Sequence, residues 1–413
     1  MHLGEGNSMP EHDSLYSWAR LFLGLVIAIT GNVGMWIIVL LMPAIEQEFE
    51  IGRAAASAPF VLTMIGFAIG NAIIGRIVDH FGMSKTLIIA AIVNSTGFVG
   101  AASVQSIFML SILQFIIGFG TAAAFGPLIA DVSHWFLKRR GIAVAITASG
   151  NYFSGAIWPL LLNGTLETDG WRAVYFLLSI TTLFVTIPVA LPLRRQVSAE
   201  TFRKSDEASE SKRKQMAFSP NALVLMLALA GLGCCVAMSM PQVHIVAFCV
   251  DLGYGPAAGS EILSLMLFGG IVSRIVSGIV ADRLGGLNTL LIGSTLQCLA
   301  LFLYLPFDGL VSLYVVSLVF GLSQGGIVPS YAIIVREYLP SVSAGAMVGL
   351  AMMATILGMA LGGWFCGWIY DSTGSYQIAF WNGILWNFLN IGIVLLLLFC
   401  RRRSHEAGFN GSV

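Results

Sequence analysis

The stretch FGGIVSRIVSGIVADRLGG, residues 268–286, sets a permanent cation, Arg274, in an otherwise uncharged run that begins after Glu261. An unpaired charge at such depth in hydrocarbon costs from about 3 to more than 10 kcal/mol, so this arginine needs a partner or a function. The rest of the chain has the same apolar character. Its 413 residues are 57% hydrophobic and 10% charged, with a mean hydropathy of +0.86, whereas a soluble domain carries roughly 25% charged residues. Stretches of about 20 apolar residues, long enough to cross a bilayer as helix, recur twelve times. They centre near Ile29, Gly66, Val93, Ile117, Tyr152, Thr182, Gly231, Gly270, Leu296, Leu318, Met353 and Ile391. An all-α membrane protein with twelve transmembrane helices is expected. The residues before Trp18 include acids and no Lys or Arg, so the first apolar stretch is read as a true span and not as a cleaved signal.

Formal charge sums to zero, but its distribution is one-sided. With loops assigned alternately to the two faces, all 21 Lys and Arg except Arg53, Arg172 and Arg274 fall on the face that carries the N-terminus. This bias predicts both termini in the cytoplasm and an even number of crossings, with a multi-pass protein of the cytoplasmic or plasma membrane as the location. The six cysteines show no CxxC and no nearby His or acid at metal-ligand spacing, so they read as small apolar residues. No cofactor or metal is expected.

The longest polar segment, 194–219, mixes seven basic residues with four acids and reads as a solvated cytoplasmic linker. It divides the chain into a tail (1–17), a six-helix bundle (18–193), the linker, a second six-helix bundle (220–400) and a tail (401–413). The halves resemble each other. GRIVDHFG from Gly75 and GIVADRLG from Gly278 share GxxxDxxG at an offset of 203 residues, which also carries Gly118 onto Gly321 and Val132 onto Val335. Two such bundles joined by a linker match the plan of carriers that rock one half against the other around a midplane site.

GRIVDHFGMSK, residues 75–85, resembles the loop between helices 2 and 3 of the major facilitator superfamily. That resemblance implies the superfamily fold, with its bundles related by a pseudo-two-fold axis. It also implies a cytoplasmic gate at Gly75, Asp79, Gly82 and Lys85, repeated at Gly278, Asp282, Arg283 and Gly285. Glycines there let helix ends approach closely, and an acid can pair with a helix N-terminus or a base across the interface. VSHWFLKRRGIAVAITASGNYFSGAIWPLL (132–161), GGIVPSYAIIVREYLP (325–340) and GGWFCGWIYDSTGSYQIAF (362–380) are similar to the monocarboxylate transporters and their oxalate/formate-antiporter relatives. DSLYSW (13–18) is a partial version of the signature that opens helix 1 in that branch, with Asp13, Tyr16 and Trp18 matching and Ser14 and Ser17 in place of glycines.

Arg274 occupies the place of the helix 8 arginine of that branch. It lies about 12 Å by helical rise from Asp282, near the midplane. Acids stand near span ends, at Asp131, Glu261, Asp282 and Glu337, and none lies near a span's middle. The expected counter-ion is therefore the substrate itself, a carboxylate held by paired charge-assisted hydrogen bonds. The competing reading is an arginine bonded to backbone carbonyls or to a bent-back Asp131 or Asp282.

His244, in SMPQVHIVAFCVDLG, is the candidate proton site, and Pro241 before it suggests a partly unwound helix; an interfacial hydrogen-bonded histidine is the alternative. Asn32, Trp36, Asn71, Phe125, Asn151, Tyr152, Gln324 and Tyr331 are further candidate substrate contacts, with interhelical hydrogen bonding as the competing role of the amides. Gln114 stands where many proton-coupled superfamily members carry an arginine, and Trp36 where some animal monocarboxylate carriers carry a lysine. The helix 11 region AMVGLAMMATILGMALGGWF lacks the second cation of oxalate antiporters, which favours a monocarboxylate.

The function expected is a secondary carrier for a small organic anion, with proton symport or anion exchange as its driving mode, since no Walker-type GxxxxGK[ST] loop is present. The expected partners are the anion, protons and membrane lipid, with a monomer as the first expectation and a dimer as the alternative. An exporter of amphipathic drugs, in which Arg274 is dispensable, is the rival reading. A non-transporting sensor is a more distant one, and an enzyme is disfavoured because no HExxH, no nucleophile beside a base and no soluble catalytic domain is found.

Overall fold

A computed structural model of the chain describes residues 13–136, 139–195, 219–338 and 341–410. The tail before residue 13, the linker between 196 and 218, residues 411–413 and the side chains of Asp79 and Asp282 lie outside the described residues. The described residues form helices only. Two short ones, α1 (Leu15–Gly31) and α2 (Val33–Phe49), make the first span, and α3 (Arg53–Ala56) and α4 (Ala58–Phe81) the second. The third is α5 (Met83–Ala102), and the fourth is α6 (Ile107–Thr121) with α7 (Gly126–Trp135). Helix α8 (Arg140–Ala190) contains the fifth and sixth, since its path turns at Gly170, where φ is 81° and ψ 175°. The second half follows as α9 (Pro220–Asp251), α10 (Gly255–Leu284), α11 (Gly286–Leu303), α12 (Leu310–Gln324) with α13 (Ile327–Tyr338), α14 (Ser341–Thr373) and α15 (Tyr376–Asn410). Among the described residues, eleven helical stretches are long and apolar enough to cross a membrane, and one of them, Ile142–Arg194, makes two crossings. Twelve such crossings put the start of α1 and the end of α15 on one face, the terminal face.

The sequence repeat reappears in the backbone. Helices α4, α6 and α7 end at Phe81, Thr121 and Trp135, and α10, α12 and α13 end at Leu284, Gln324 and Tyr338, each shifted by the same 203 residues. Gly82 and Gly285, the last glycines of the two GxxxDxxG motifs, share φ 81° with ψ of 159° and 163°. Only glycine adopts that conformation without strain, so the motif's final position is fixed by the turn. The packing repeats as well. A Cβ on Gly118 would collide with the carbonyl of Thr63, and one on Gly321 with that of Met266, the residue at the corresponding place.

One expectation needs correction. Pro241 does not unwind its helix, because α9 runs unbroken from Pro220 to Asp251 with Pro241 inside it. Proline removes one backbone donor, and the neighbouring spans packed around this buried segment hold the helix together. The last helix continues past Arg401, to Asn410.

The bundle exterior is apolar, with Phe22, Phe108, Leu161, Phe184 and Val311 among its most exposed residues. Such a surface suits lipid, where exposed apolar area carries no penalty.

A candidate binding site at the bundle interface

Helix α8 of the first half faces α10 of the second across a seam of small residues. A Cβ on Gly270 would come 2.8 Å from the Tyr152 ring, and Gly155 lies against Trp36 and Leu267. This close approach brings Arg274 of α10 against the first bundle. Its Nε donates to the carbonyl of Gly325 at 3.0 Å, and its Nη1 donates to the carbonyl of Ala148 at 2.6 Å. One acceptor belongs to each half. The guanidinium carbon sits 4.0 Å from the centroid of the Tyr152 ring, a cation–π distance. Arg274 is only 5% exposed, and no carboxylate among the described residues forms an ion pair with it.

Asp131 does not bend back to Arg274. It is held by Arg20, whose Nε and Nη2 each reach one carboxylate oxygen at 2.8 Å. The Arg20 guanidinium also donates to the Tyr16 hydroxyl at 3.2 Å and to the carbonyls of Arg195 at 3.1 Å and Leu193 at 3.3 Å. This staple gives the helix 1 signature its structural reason: Tyr16 and Trp18 stack edge-on against Trp135 and Phe136, with centroids 5.1 Å apart in each pair.

Several expected contacts do converge around Arg274. Trp36 packs edge-on to Tyr152 at 6.3 Å, and its Nε1 donates to the carbonyl of Asn151 at 2.9 Å and to its Oδ1 at 3.0 Å. Asn151 donates onward to Oδ1 of Asn32 at 3.4 Å, and Asn32 donates to the carbonyls of Ala28 at 2.8 Å and Ala124 at 3.1 Å. Asn32 is thus a hydrogen-bonded brace behind Trp36, while Tyr152 and Arg274 form the interface itself. Gln324 directly precedes the carbonyl that Arg274 holds; it is fully buried, and neither atom of its amide has a hydrogen-bond partner.

Other candidates lie elsewhere. Asn71 donates to Phe67 at 2.8 Å and accepts from the Gly126 amide at 3.1 Å, which stitches the break between α6 and α7. Phe125, at that break, packs on Phe67 at 5.5 Å. Tyr331 donates to Asn390 Oδ1 at 2.9 Å inside the second bundle. Gln114 accepts from Thr63 at 2.9 Å and donates to the Tyr175 hydroxyl at 2.5 Å, a knot inside the first bundle. His244 uses Nε2 against the Gly363 carbonyl at 2.7 Å, bridging α9 and α14, while its buried Nδ1 has no partner.

Sequence reasoning missed Gln242. It follows Pro241, is fully buried, lies against the Tyr152 side chain and has no hydrogen-bond partner meeting ordinary geometry at either amide atom. Its signal was a second polar side chain within two residues of His244, hidden because a glutamine in an apolar helix ordinarily bonds to a neighbouring helix.

At the gate motifs, a Cβ on Gly75 or Gly278 would meet no atom within 4 Å. Lys85 and Arg283 are exposed. The Gly286 amide, next to Gly285, donates to Glu337 Oε2 at 3.1 Å.

Comparison with known proteins bears on this arrangement. The Major Facilitator Superfamily profile matches residues 21–354 and 245–411. Monocarboxylate transporter 11 of Mus musculus is 29% identical over 372 residues, covering 83% of this chain and 78% of its own. MFS-type transporter pynF of Aspergillus niger is 22% identical over 328 residues, covering 77% and 74%. Among solved structures, a bacterial homolog of the human lysosomal transporter Spinster, in an inward-facing and occupied conformation, superposes with a TM-score of 0.66 at 14% identity, covering 96% of this chain and 97% of that one. With the twelve crossings, the repeat and the profile match in agreement, the chain belongs to the major facilitator superfamily of membrane transporters.

Proposed function

We propose that the protein is a secondary carrier for a small organic anion, most simply a monocarboxylate, and that Arg274 binds the substrate carboxylate. The observation that carries this reading is a buried guanidinium at the bundle interface with no carboxylate beside it among the described residues; its bonds to two carbonyls are those of the competing structural reading, and they leave its charge without a counter-ion. A carboxylate binds a guanidinium more strongly than a neutral carbonyl does, because both partners are charged and two parallel bonds form. Binding at Nη1 displaces the Ala148 carbonyl and so releases a bond between the two halves, while the Gly325 bond keeps the arginine in its own half. Tyr152 with the unpaired amides of Gln242 and Gln324 supplies donors and acceptors for the rest of the substrate. The similarity to proteins named monocarboxylate transporters supports the same substrate class.

The bias of Lys and Arg assigns the terminal face to the cytoplasm, and the gate motifs Gly75–Lys85 and Gly278–Gly285 to the cytoplasmic mouth. His244 is the proton-site candidate: one ring nitrogen lies on the Gly363 carbonyl, and the other has no hydrogen-bond partner among the described residues. Uptake of labelled lactate, pyruvate, formate, oxalate and an aromatic acid into proteoliposomes, with and without a pH gradient, tests this. Saturable uptake of a monocarboxylate in the wild type and its loss in Arg274→Gln are expected. Loss of gradient dependence in His244→Gln would assign the proton. A fully active Arg274→Gln would overturn the anion reading and favour an exporter of amphipathic compounds.

A further inference from the structure

On the face opposite the termini, polar contacts between the two halves centre on Arg53. Arg53, at the start of α3, is 5% exposed. Its Nε meets Glu46 Oε2 of its own half at 2.5 Å, and its Nη1 and Nη2 meet the two carboxylate oxygens of Asp251, at the end of α9, at 3.1 and 3.2 Å. Nη1 also donates to the Tyr376 hydroxyl of α15, and the guanidinium carbon lies 4.9 Å from the ring centroid of Tyr370 on α14. The backbone joins in. The amides of Arg53 and Ala54 donate to Oδ1 and Oδ2 of Asp371 at 2.9 and 2.8 Å. Small residues permit this contact: a Cβ on Gly52 would stand 3.0 Å from Asp371 Oδ2, and one on Gly367 would stand 3.0 Å from the Arg53 carbonyl. A depression of about 490 Å³, lined by Glu46, Arg53, Glu167 and Val250, opens beside the cluster.

We infer that Arg53 is the latch that holds this face shut, and that the carrier must break its bonds to Asp251, Asp371 and Tyr376 each time the face opens. Three of the second half's spans, α9, α14 and α15, converge on one residue of the first. The second half's partners are fixed by opposite charge, a planar fork and two aromatic faces, so moving the halves apart removes all of these together and leaves Arg53 with Glu46 of its own half. The latch acts on the protein's balance of states and does not depend on which substrate Arg274 holds.

The test is labelling of Val243→Cys, a buried position against Gly363 beneath the latch, by a membrane-impermeant maleimide applied from that face, with the parent chain as background for its native cysteines. Arg53→Gln and Asp251→Asn are each expected to speed labelling about tenfold, as a shifted population of the open state would. Asp371→Asn, which leaves the guanidinium pairs in place, is expected to give a smaller increase. Arg172→Gln is the control: it breaks an ion pair to Glu48 on the same face but within one half, 2.7 Å long, and should leave labelling unchanged. If Arg53→Gln proves unfolded by size-exclusion, the Asp251 and Asp371 variants carry the measurement. Unchanged labelling in the folded latch variants, or an equal rise in Arg172→Gln, would overturn the latch.

Discussion

Two buried arginines in this chain show how surroundings divide structure from function. Arg20 has a bidentate carboxylate, a hydroxyl and two carbonyls, so its charge is compensated in full by the fold. Removing Asp131 would leave that cation buried without a counter-charge, which costs about 3–5 kcal/mol in proteins generally. Asp131→Asn should therefore lower the unfolding temperature in detergent clearly, and Arg20→Gln with Asp131→Asn together should recover part of the loss. Arg274, by contrast, meets two carbonyls and a ring and, among the described residues, no carboxylate. Arg274→Met should unfold no earlier than the wild type while losing uptake, because replacing an uncompensated buried charge by an apolar side chain is commonly neutral or stabilising. A lower unfolding temperature in Arg274→Met would make the arginine a structural member. The sequence made Arg274 conspicuous because a charge breaks an apolar run. It could not show which carbonyls receive the guanidinium, nor that Asp131 was already taken, since these contacts join residues 51, 126 and 111 positions apart.

Among elements, periodicity and glycine placement carried most of the information. Every expected span centre falls in a helix, and the repeat offset read from motifs is the offset of the helix ends. What periodicity could not see is how neighbours support a helix, which is why Pro241 looked like a break and is not one. The glycines separate into two classes by their surroundings. Gly118 and Gly321 touch backbone of the next helix, whereas Gly75 and Gly278 face open space. Leucine at either of the first pair should destabilise by more than the 1–3 kcal/mol typical of overpacking, because backbone cannot swing aside as a side chain can. Gly75→Leu and Gly278→Leu should keep the wild-type unfolding temperature and yet slow uptake, since the gate reading requires these surfaces to close against a partner once per cycle. Thermal unfolding and initial uptake rates on the four variants separate the classes. Equal stability losses in all four would mean that the open positions are ordinary packing sites.

Among the described residues, the interface is tight at one end and open at the other. Helices α4 and α14 run antiparallel along the interface, and near the face opposite the termini they are in contact: a Cβ on Gly363 would come 2.9 Å from the Phe60 ring, and Gly367 packs on Ala54. Continuing that register toward the terminal face brings Gly75 opposite Gly349, and neither has a neighbour within 4 Å of its Cβ position. The helical membrane fold was legible in the sequence because a bilayer forces apolar length onto the chain. The state of the interface was not, because one sequence has to suit every state that a carrier visits, and such states commonly differ by only a few kcal/mol. A cysteine pair makes the difference measurable. Gly75→Cys with Gly349→Cys should cross-link slowly in the state described here and faster in Arg53→Gln, because releasing the latch lets one face open while the other closes. Phe60→Cys with Gly363→Cys should do the reverse, cross-linking readily in the parent and less in Arg53→Gln. Parallel changes in both pairs would mean that the halves separate or loosen as a whole, and alternating access by rocking would then not describe this carrier.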